Sequence, residues 1–481
     1  MVKVRAKRNR IINAISRTYT EFADNTSIHG FKYTVGKDNN FLERVVWICI
    51  IALGLIGSGI MFNLFWERYS STPTRTILKT NYLPNIELHF PAITICPFSN
   101  TMISKYKSNL NDSEKAYARR VFPYILTNSS ETKLMQDSLF DPITIIRKMS
   151  QNCTEFLQKC SWEGRHVNCA DIFNELSTPF GLCYSFNYNT TKIRHTPYFG
   201  YRMGLSVLIN SDLRNHFTNK VSKGIETIIH DPTQYPYYGD LTRIVTVGSE
   251  VFMQLSGQRY ICGKDVQGMP KQLNRYIAAN EKRLKFFSHY TGRNCLTEYN
   301  VQTIMERCKC YEYFYTFTVK GEVLCHITSI VYEPIETLNK SHCPLVCELT
   351  NYNALVTHTK LIISPYVSSP FLRNVTVQDD SILLHAFYYD QTQTMYTTKA
   401  VTSVIYLLSS LGGIFSFFLG CSFISVLEII YYVFIKFYLN LKSYNRVEQS
   451  TNMRNTKCSK KTVSNVKHIK VYTMYRGEYL E

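Results

Sequence analysis

The sequence contains no glycine-rich phosphate loop, no HExxH and no GxSxG. Nor does any recognisable motif set a nucleophile beside a base, so phosphate-loop, zinc-protease and serine-hydrolase chemistries lack their residues. No catalytic residue and no cofactor are expected, and the chain is not read as an enzyme. Histidines are scattered rather than grouped. His166, His230, His289 and His342 are read as solvated or structural, and the pairs Cys308-x-Cys310 and Cys343-x3-Cys347 as disulfide partners rather than zinc ligands, so no metal site is expected.

Acidic residues are in short supply, with Asp+Glu 36 against Lys+Arg 54 in 481 residues and a formal charge of +18. Such a balance alone would suit nucleic acid, but its distribution argues for a lipid bilayer instead and no nucleic-acid partner is expected. No charged residue occurs between Arg44 and Glu67, and none between Ala400 and Leu427, after which "EIIYYVFI" extends the apolar run. Since about 20 residues cross a hydrocarbon core, each run is long enough for a spanning helix. The first lies too far from the N-terminus, and is too long, for a cleaved signal peptide, so it reads as a retained anchor.

Residues 1–44 carry nine Lys or Arg against four acids, and residues 436–481 carry ten against three. Positive tails favour the cytoplasmic side, and an even number of spans permits both to lie there. The organisation expected is a cytoplasmic segment 1–44, a transmembrane helix 45–66, an extracellular Cys-rich domain 67–400, a second transmembrane helix 401–435 and a basic cytoplasmic tail 436–481, in a multi-pass plasma-membrane protein.

Two features of the outer segment agree with this. It holds six glycosylation sequons, at Asn111, Asn128, Asn152, Asn189, Asn339 and Asn374, and twelve of the fifteen cysteines. Disulfides persist in an oxidising compartment. With no internal repeat and no long low-complexity linker, the segment reads as one compact, disulfide-stapled domain. "ELHFPAITICP" and "GLSVLIN" predict strands, the second with Leu205, Val207 and Ile209 on one face; "NDSEKAYARRVFPYIL" and "AANEKRLKFFSHY" predict helices. The fold class is thus a membrane protein with two transmembrane helices and a large disulfide-rich mixed α/β extracellular domain.

The second span spends three of thirteen positions in "LGGIFSFFLGCSF" on glycine. At 100° per residue, Ser409, Gly412, Gly413, Ser416 and Gly420 form a small-residue stripe, a pattern that tight helix packing also produces. Ser422 and Ser425 then fall opposite Gly420. Either two faces are polar, or the helix breaks at "GCS", which is tolerated at membrane depth where the backbone lines water or is buried in protein. Glu428 in the same run either faces a cavity or partner or snorkels to the cytoplasmic interface; both readings are open. A pore built from two spans per chain requires several subunits about an axis.

"NTSIHGFKY" before the first span, "FPAITICP" after it, "GLCYSFN", the Cys-rich run 295–347 and "GGIFSFFLGCSFISVLEIIYY" together resemble the degenerin/epithelial sodium channel family, most closely its insect pickpocket branch. The resemblance implies a trimeric, voltage-independent, amiloride-sensitive sodium channel, homomeric or heteromeric with related subunits, with sodium ions as cargo and amiloride as blocker. By position, Gly420, Cys421 and Ser422 match the family's G-x-S selectivity tract, where small side chains and carbonyls replace part of an ion's water. His29 and Gly30 match its cytoplasmic gating pair, and Ser409 falls at the position where bulky residues hold relatives open. Ser410 stands where some relatives carry an acidic residue, and Ser416 replaces a glycine.

The resemblance also implies the pairs Cys96–Cys183, Cys160–Cys169, Cys262–Cys347, Cys295–Cys343 and Cys310–Cys325, leaving Cys153 and Cys308 without partners. Tyr299 and Ser341 occupy the places of two cysteines that pair with each other in relatives. The function expected is a sodium or broader cation channel subunit, ligand- or mechanically gated and sensory. The alternative is a non-conducting surface receptor or accessory subunit that uses the same outer domain. An ATP-gated channel is disfavoured because no lysine cluster with Asn-Phe-Arg is present.

Overall fold

The computed structural model describes residues 2–36, 40–122, 125, 141–218, 221–237, 240–269, 276–278, 281–309, 314–315, 343–362, 369–373, 375–401 and 404–443. The chain forms two compact units, one drawn from its two ends and one from Pro73–Val401.

The first unit is helical. Helix α1 (Val2–Asn25) is followed by the short α2 (Phe31–Val35) and the 31-residue α3 (Phe41–Ser71). The Glu43 carboxylate accepts the Asn40 N–H at 3.3 Å and helps to start α3. Leu53, Ile56 and Leu64 on α3 are 58–68% exposed. That much apolar surface on one helix is stable in lipid, not in water. At 1.5 Å per residue α3 is about 46 Å long, enough to cross a hydrocarbon core of about 30 Å. The second apolar run forms two half-helices, Val404–Leu419 and Phe423–Ser443, the latter with a π-helical stretch at Tyr431–Lys436.

The second unit is built on two sheets. The larger has the strand order β1-β15-β10-β14-β7-β3-β4, with β13 also on β10. These are β1 (Thr74–Pro84), β3 (Leu157–Trp162), β4 (Arg165–Val167), β7 (Leu205–Asn210), β10 (Ser249–Cys262), β13 (Leu349–Lys360), β14 (Ser381–Tyr388) and β15 (Thr392–Ala400). The smaller runs β5-β6-β2-β8-β9, all antiparallel, from β2 (Ala92–Cys96), β5 (Phe173–Thr178), β6 (Gly181–Phe186), β8 (Gly224–His230) and β9 (Leu241–Thr246). A short parallel pair joins β11 (Tyr276–Ile277) to β12 (Leu345–Val346).

β10 organises the larger sheet. One edge pairs with β13 along its length; the other pairs first with β14 and then with β15. Gly257 lies at that changeover, where any Cβ would run into the Leu88 side chain, so the missing side chain lets Leu88 reach the core. Phe90, Trp162, Phe186 and Tyr388 pack beside it, with ring centres 4.8 Å apart for Phe90–Trp162 and 5.4 Å for Phe90–Tyr388. Disulfides Cys96–Cys183, Cys160–Cys169, Cys262–Cys347 and Cys295–Cys343 staple this unit.

β7 places Leu205, Val207 and Ile209 in one core cluster, as its alternation predicts, and Leu208 of the opposite face is buried in a second cluster. One local expectation needs correction. Residues 281–290 of "AANEKRLKFFSHY" are irregular, not helical. The Lys285 and Phe286 N–H groups donate to Glu298 Oε2 at 2.7 and 2.9 Å, and Phe286 and Phe287 pack against a cluster around Tyr235 and Tyr315. Tertiary contacts outweigh the helical pattern there. The helix starts later, at Gly292–Cys308, where Thr291 Oγ1 accepts the Asn294 N–H.

Candidate functional site

The second apolar run stops being helical at Gly420, Cys421 and Ser422, and each residue has a local reason. Gly420 has φ 65°, in the left-handed region that favours glycine. Its N–H donates to the Ser416 carbonyl at 2.8 Å and the Cys421 N–H donates to the Phe415 carbonyl at 3.3 Å. The first of these bonds is the αL ending of a helix, with glycine at its usual place. Ser422 then caps the next half-helix: its Oγ accepts the Ser425 N–H at 3.3 Å while Ser425 Oγ accepts the Ser422 N–H at 3.0 Å. The tract G-x-S therefore spells a helix stop, one linking residue and a helix start.

The turn before α2 is packed against this break. The His29 N–H donates to the Leu419 carbonyl at 3.2 Å, satisfying a group that the helix end leaves open. The His29 imidazole lies where a side chain on Gly420 would have to go. Gly30 also has positive φ, 90°, and sits against Ile51 and Trp47 of α3. Tyr33 stacks on Trp47 with ring centres 4.5 Å apart, and the Tyr19 hydroxyl is 2.8 Å from Thr34 Oγ1. The loop is thereby tied to α1 and α3.

Glu428 has partners in the same turn. Its Oε2 accepts from the Ser27 N–H at 3.0 Å, Ser27 Oγ at 3.1 Å and Thr26 Oγ1 at 3.3 Å, while Ser27 Oγ lies 2.7 Å from Ser425 Oγ. Thr26 and Ser27 were not singled out in the sequence, and Ser425 only as part of the loss of phase. Farther along, Glu21 accepts from Lys436 Nζ and Asn440 Nδ2, each at 3.2 Å, and holds α1 beside the second half-helix. Glu428→Ala should speed amide exchange at Ser27 about tenfold, the equivalent of about 1.4 kcal/mol for one hydrogen bond to a charged acceptor. Hydrogen exchange read by mass spectrometry over 26–30 checks this; unchanged exchange would mean that the carboxylate does not hold the turn.

Small residues on the first half-helix remain open. Ser409, Gly412, Gly413 and Ser416 are exposed, and among the described residues nothing outside the helix lies within 4 Å of where a side chain on Gly412 or Gly413 would begin. Packing glycines are found instead on α3, where Gly54 and Gly57 receive Phe418. Gly412 and Gly413 thus leave one face bare, whereas Gly57 seats the Phe418 ring and Gly54 meets the Phe418 carbonyl and the Leu419 side chain.

Asn111, Asn152 and Asn189 are exposed; Asn128, Asn339, Asn374, His342, Cys310 and Cys325 lie outside the described residues. Cys153 is a free, half-buried thiol, and burial together with Glu175 pushes it up to about 11. His230 is buried in the smaller sheet, 2.8 Å from Thr94 Oγ1, and burial pushes its imidazole down to about 4. His166 stacks on Phe371. No group of three or more His, Cys, Asp or Glu suited to a metal occurs among the described residues.

Residues 22–432 match the model of the family described as amiloride-sensitive sodium channel. The chain is 27% identical over 470 residues to the sodium channel protein Nach of Drosophila melanogaster, covering 88% of each chain. It is 21% identical over 500 residues to pickpocket protein 28 of the same species, covering 91% of this chain and 82% of that one. With the bile acid-sensitive ion channel of Homo sapiens it shares 25% identity over 451 residues, covering 87% and 86%. With two apolar spans, a disulfide-stapled domain and a match that includes both the His29–Gly30 turn and the Gly420–Ser422 break, the chain belongs to the amiloride-sensitive sodium channel family, a family of ion channels rather than enzymes.

Proposed function

We propose that the chain is one subunit of a trimeric, amiloride-sensitive sodium-conducting channel of the plasma membrane, with both termini cytoplasmic, gated by a ligand or by force and serving a sensory cell. The observation that carries this reading is the helix break at Gly420–Ser422 below a bare face of Ser409, Gly412, Gly413 and Ser416. Three such breaks about an axis bring backbone carbonyls and small side chains into a ring able to replace part of an ion's hydration. His29 and Gly30 act as the gate's cytoplasmic latch in this reading, because the imidazole is seated against the break itself.

The test is whole-cell recording with Ser409 replaced by a bulky residue, alone and with related subunits. The expected result is a standing, amiloride-blocked sodium current at least tenfold above that of the unmodified chain, since a bulky side chain on the bare face prevents the spans from closing against one another. Verified surface expression without any sodium current would count against conduction. If replacing Gly420 and Ser422 then left signalling intact, an accessory or receptor role would take its place.

A further inference from the structure

We propose that His89 and His195 form a two-histidine site for a divalent transition-metal ion, Zn2+ or Cu2+, bound through His89 Nδ1 and His195 Nε2 and completed by water. His89 directly follows Leu88, ahead of β2, and His195 lies in the connection between β6 and β7. Neither was singled out in the sequence, where 106 positions separate them.

The two nitrogens are 3.0 Å apart. Two imidazole nitrogens at about 2.0–2.1 Å from one ion, at angles between square and tetrahedral, lie about 2.9–3.4 Å from each other. The observed spacing is already that of adjacent ligands. The ring centres are 4.5 Å apart and the planes meet at 50°. A straight N–H···N bond of this length would hold the centres about 5.3 Å apart, each nitrogen being about 1.15 Å from its ring centre. The rings are therefore bent away from the line joining the nitrogens, as two ligands of one ion are.

The surroundings hold that geometry. His195 Nδ1 is 3.0 Å from the Leu88 carbonyl, an acceptor only, so Nδ1 carries the proton and Nε2 presents its lone pair. A backbone carbonyl on the far nitrogen is the usual support of a metal-binding histidine. Leu88 is itself locked at Gly257, and the His89 carbonyl accepts the Tyr352 and Tyr388 hydroxyls, each at 2.8 Å. Both histidines are half-buried, so an ion and its waters can reach them.

Burial and the neighbouring His195 hold the His89 imidazole below its usual range; Asp231 and Glu348 act in the opposite sense, and Arg259 with the burial. Without an ion, His89 Nδ1–H donates to His195 Nε2. Coordination moves that proton to His89 Nε2, so the neutral pair releases none, whereas acid competes with the metal. No third His, Cys, Asp or Glu completes a cluster among the described residues. Open positions filled by water mark an exchangeable ion rather than a permanent structural one.

The test is calorimetric titration of the purified full chain in lipid nanodiscs with ZnCl2, CuCl2 and CaCl2 at pH 7.4. Expected is one equivalent of Zn2+ or Cu2+ per chain, no Ca2+ at that site, and at least tenfold weaker binding at pH 5.5. His195→Asn keeps a donor for the Leu88 carbonyl but has no second ring nitrogen, and should lose that equivalent, as should His89→Gln. Near-UV circular dichroism, to which Trp162 beside Phe90 contributes, shows whether each variant retains the native packing. Absence of binding by the native chain, an undiminished equivalent in both folded variants, or competition by Ca2+ would overturn the site.

Discussion

Replacing Gly420 by alanine should cost the channel its function and loosen its membrane unit, and removing the His29 side chain should restore part of the loss. Two separate penalties are involved. The left-handed backbone at φ 65° disfavours any residue with a Cβ by about 1–2 kcal/mol. In addition the new methyl would occupy the place of the His29 imidazole, so the turn must move or the helix end must re-form. His29→Ala relieves the collision but not the backbone strain. A double-mutant cycle on thermal stability should therefore give a coupling of roughly 1–3 kcal/mol, with the double variant still below the unmodified chain. Sodium current normalised to surface protein should fall at least tenfold in Gly420→Ala. Additive effects would show that the turn and the break do not touch in the working channel.

Loss of the Cys96–Cys183 bridge should destabilise the second unit more than loss of the Cys160–Cys169 bridge. Its two cysteines are buried, Cys96 at the end of β2 and Cys183 within β6, and lie 87 positions apart, whereas Cys160 and Cys169 are only 9 apart. If a bridge acts by restricting the unfolded chain, the first contributes about 4–5 kcal/mol and the second about 2–3 kcal/mol. Cys96→Ala with Cys183→Ala should accordingly lower the thermal unfolding midpoint and the surface yield more than Cys160→Ala with Cys169→Ala does. The reverse order would mean that local packing, not loop length, sets the value of these bridges. Alanine is the appropriate replacement because a serine pair would leave two hydroxyls in a site that excludes water.

What was legible in the sequence was whatever is written in neighbouring residues. The charge-free runs announce two apolar helices because solvent and lipid act on composition alone. The small stripe loses phase between Gly420 and Ser422 because a helix has a fixed period, and the stop and start signals lie within three residues. Cap residues are local too: Thr291 before Gly292–Cys308 is a readable helix start, hidden beside the stronger apolar pattern of 281–290. That pattern failed because Glu298 takes the backbone donors of Lys285 and Phe286, a bond formed only once the later helix is in place.

Contacts between distant positions were decided by the tertiary structure. Sequence periodicity shows that Glu428 sits in an apolar run; only the fold brings Ser27, 401 positions away, to its carboxylate. His29 and Gly420 likewise meet because the turn before α2 closes on the helix end, and glycine is needed there for a neighbour as well as for its own backbone. His89 and His195 look unrelated until Leu88 enters the space left by Gly257 and carries its carbonyl to His195. Local free energies fixed the elements and their ends. Which side chains share a site depended on packing long-range segments together, and that information has no period to read.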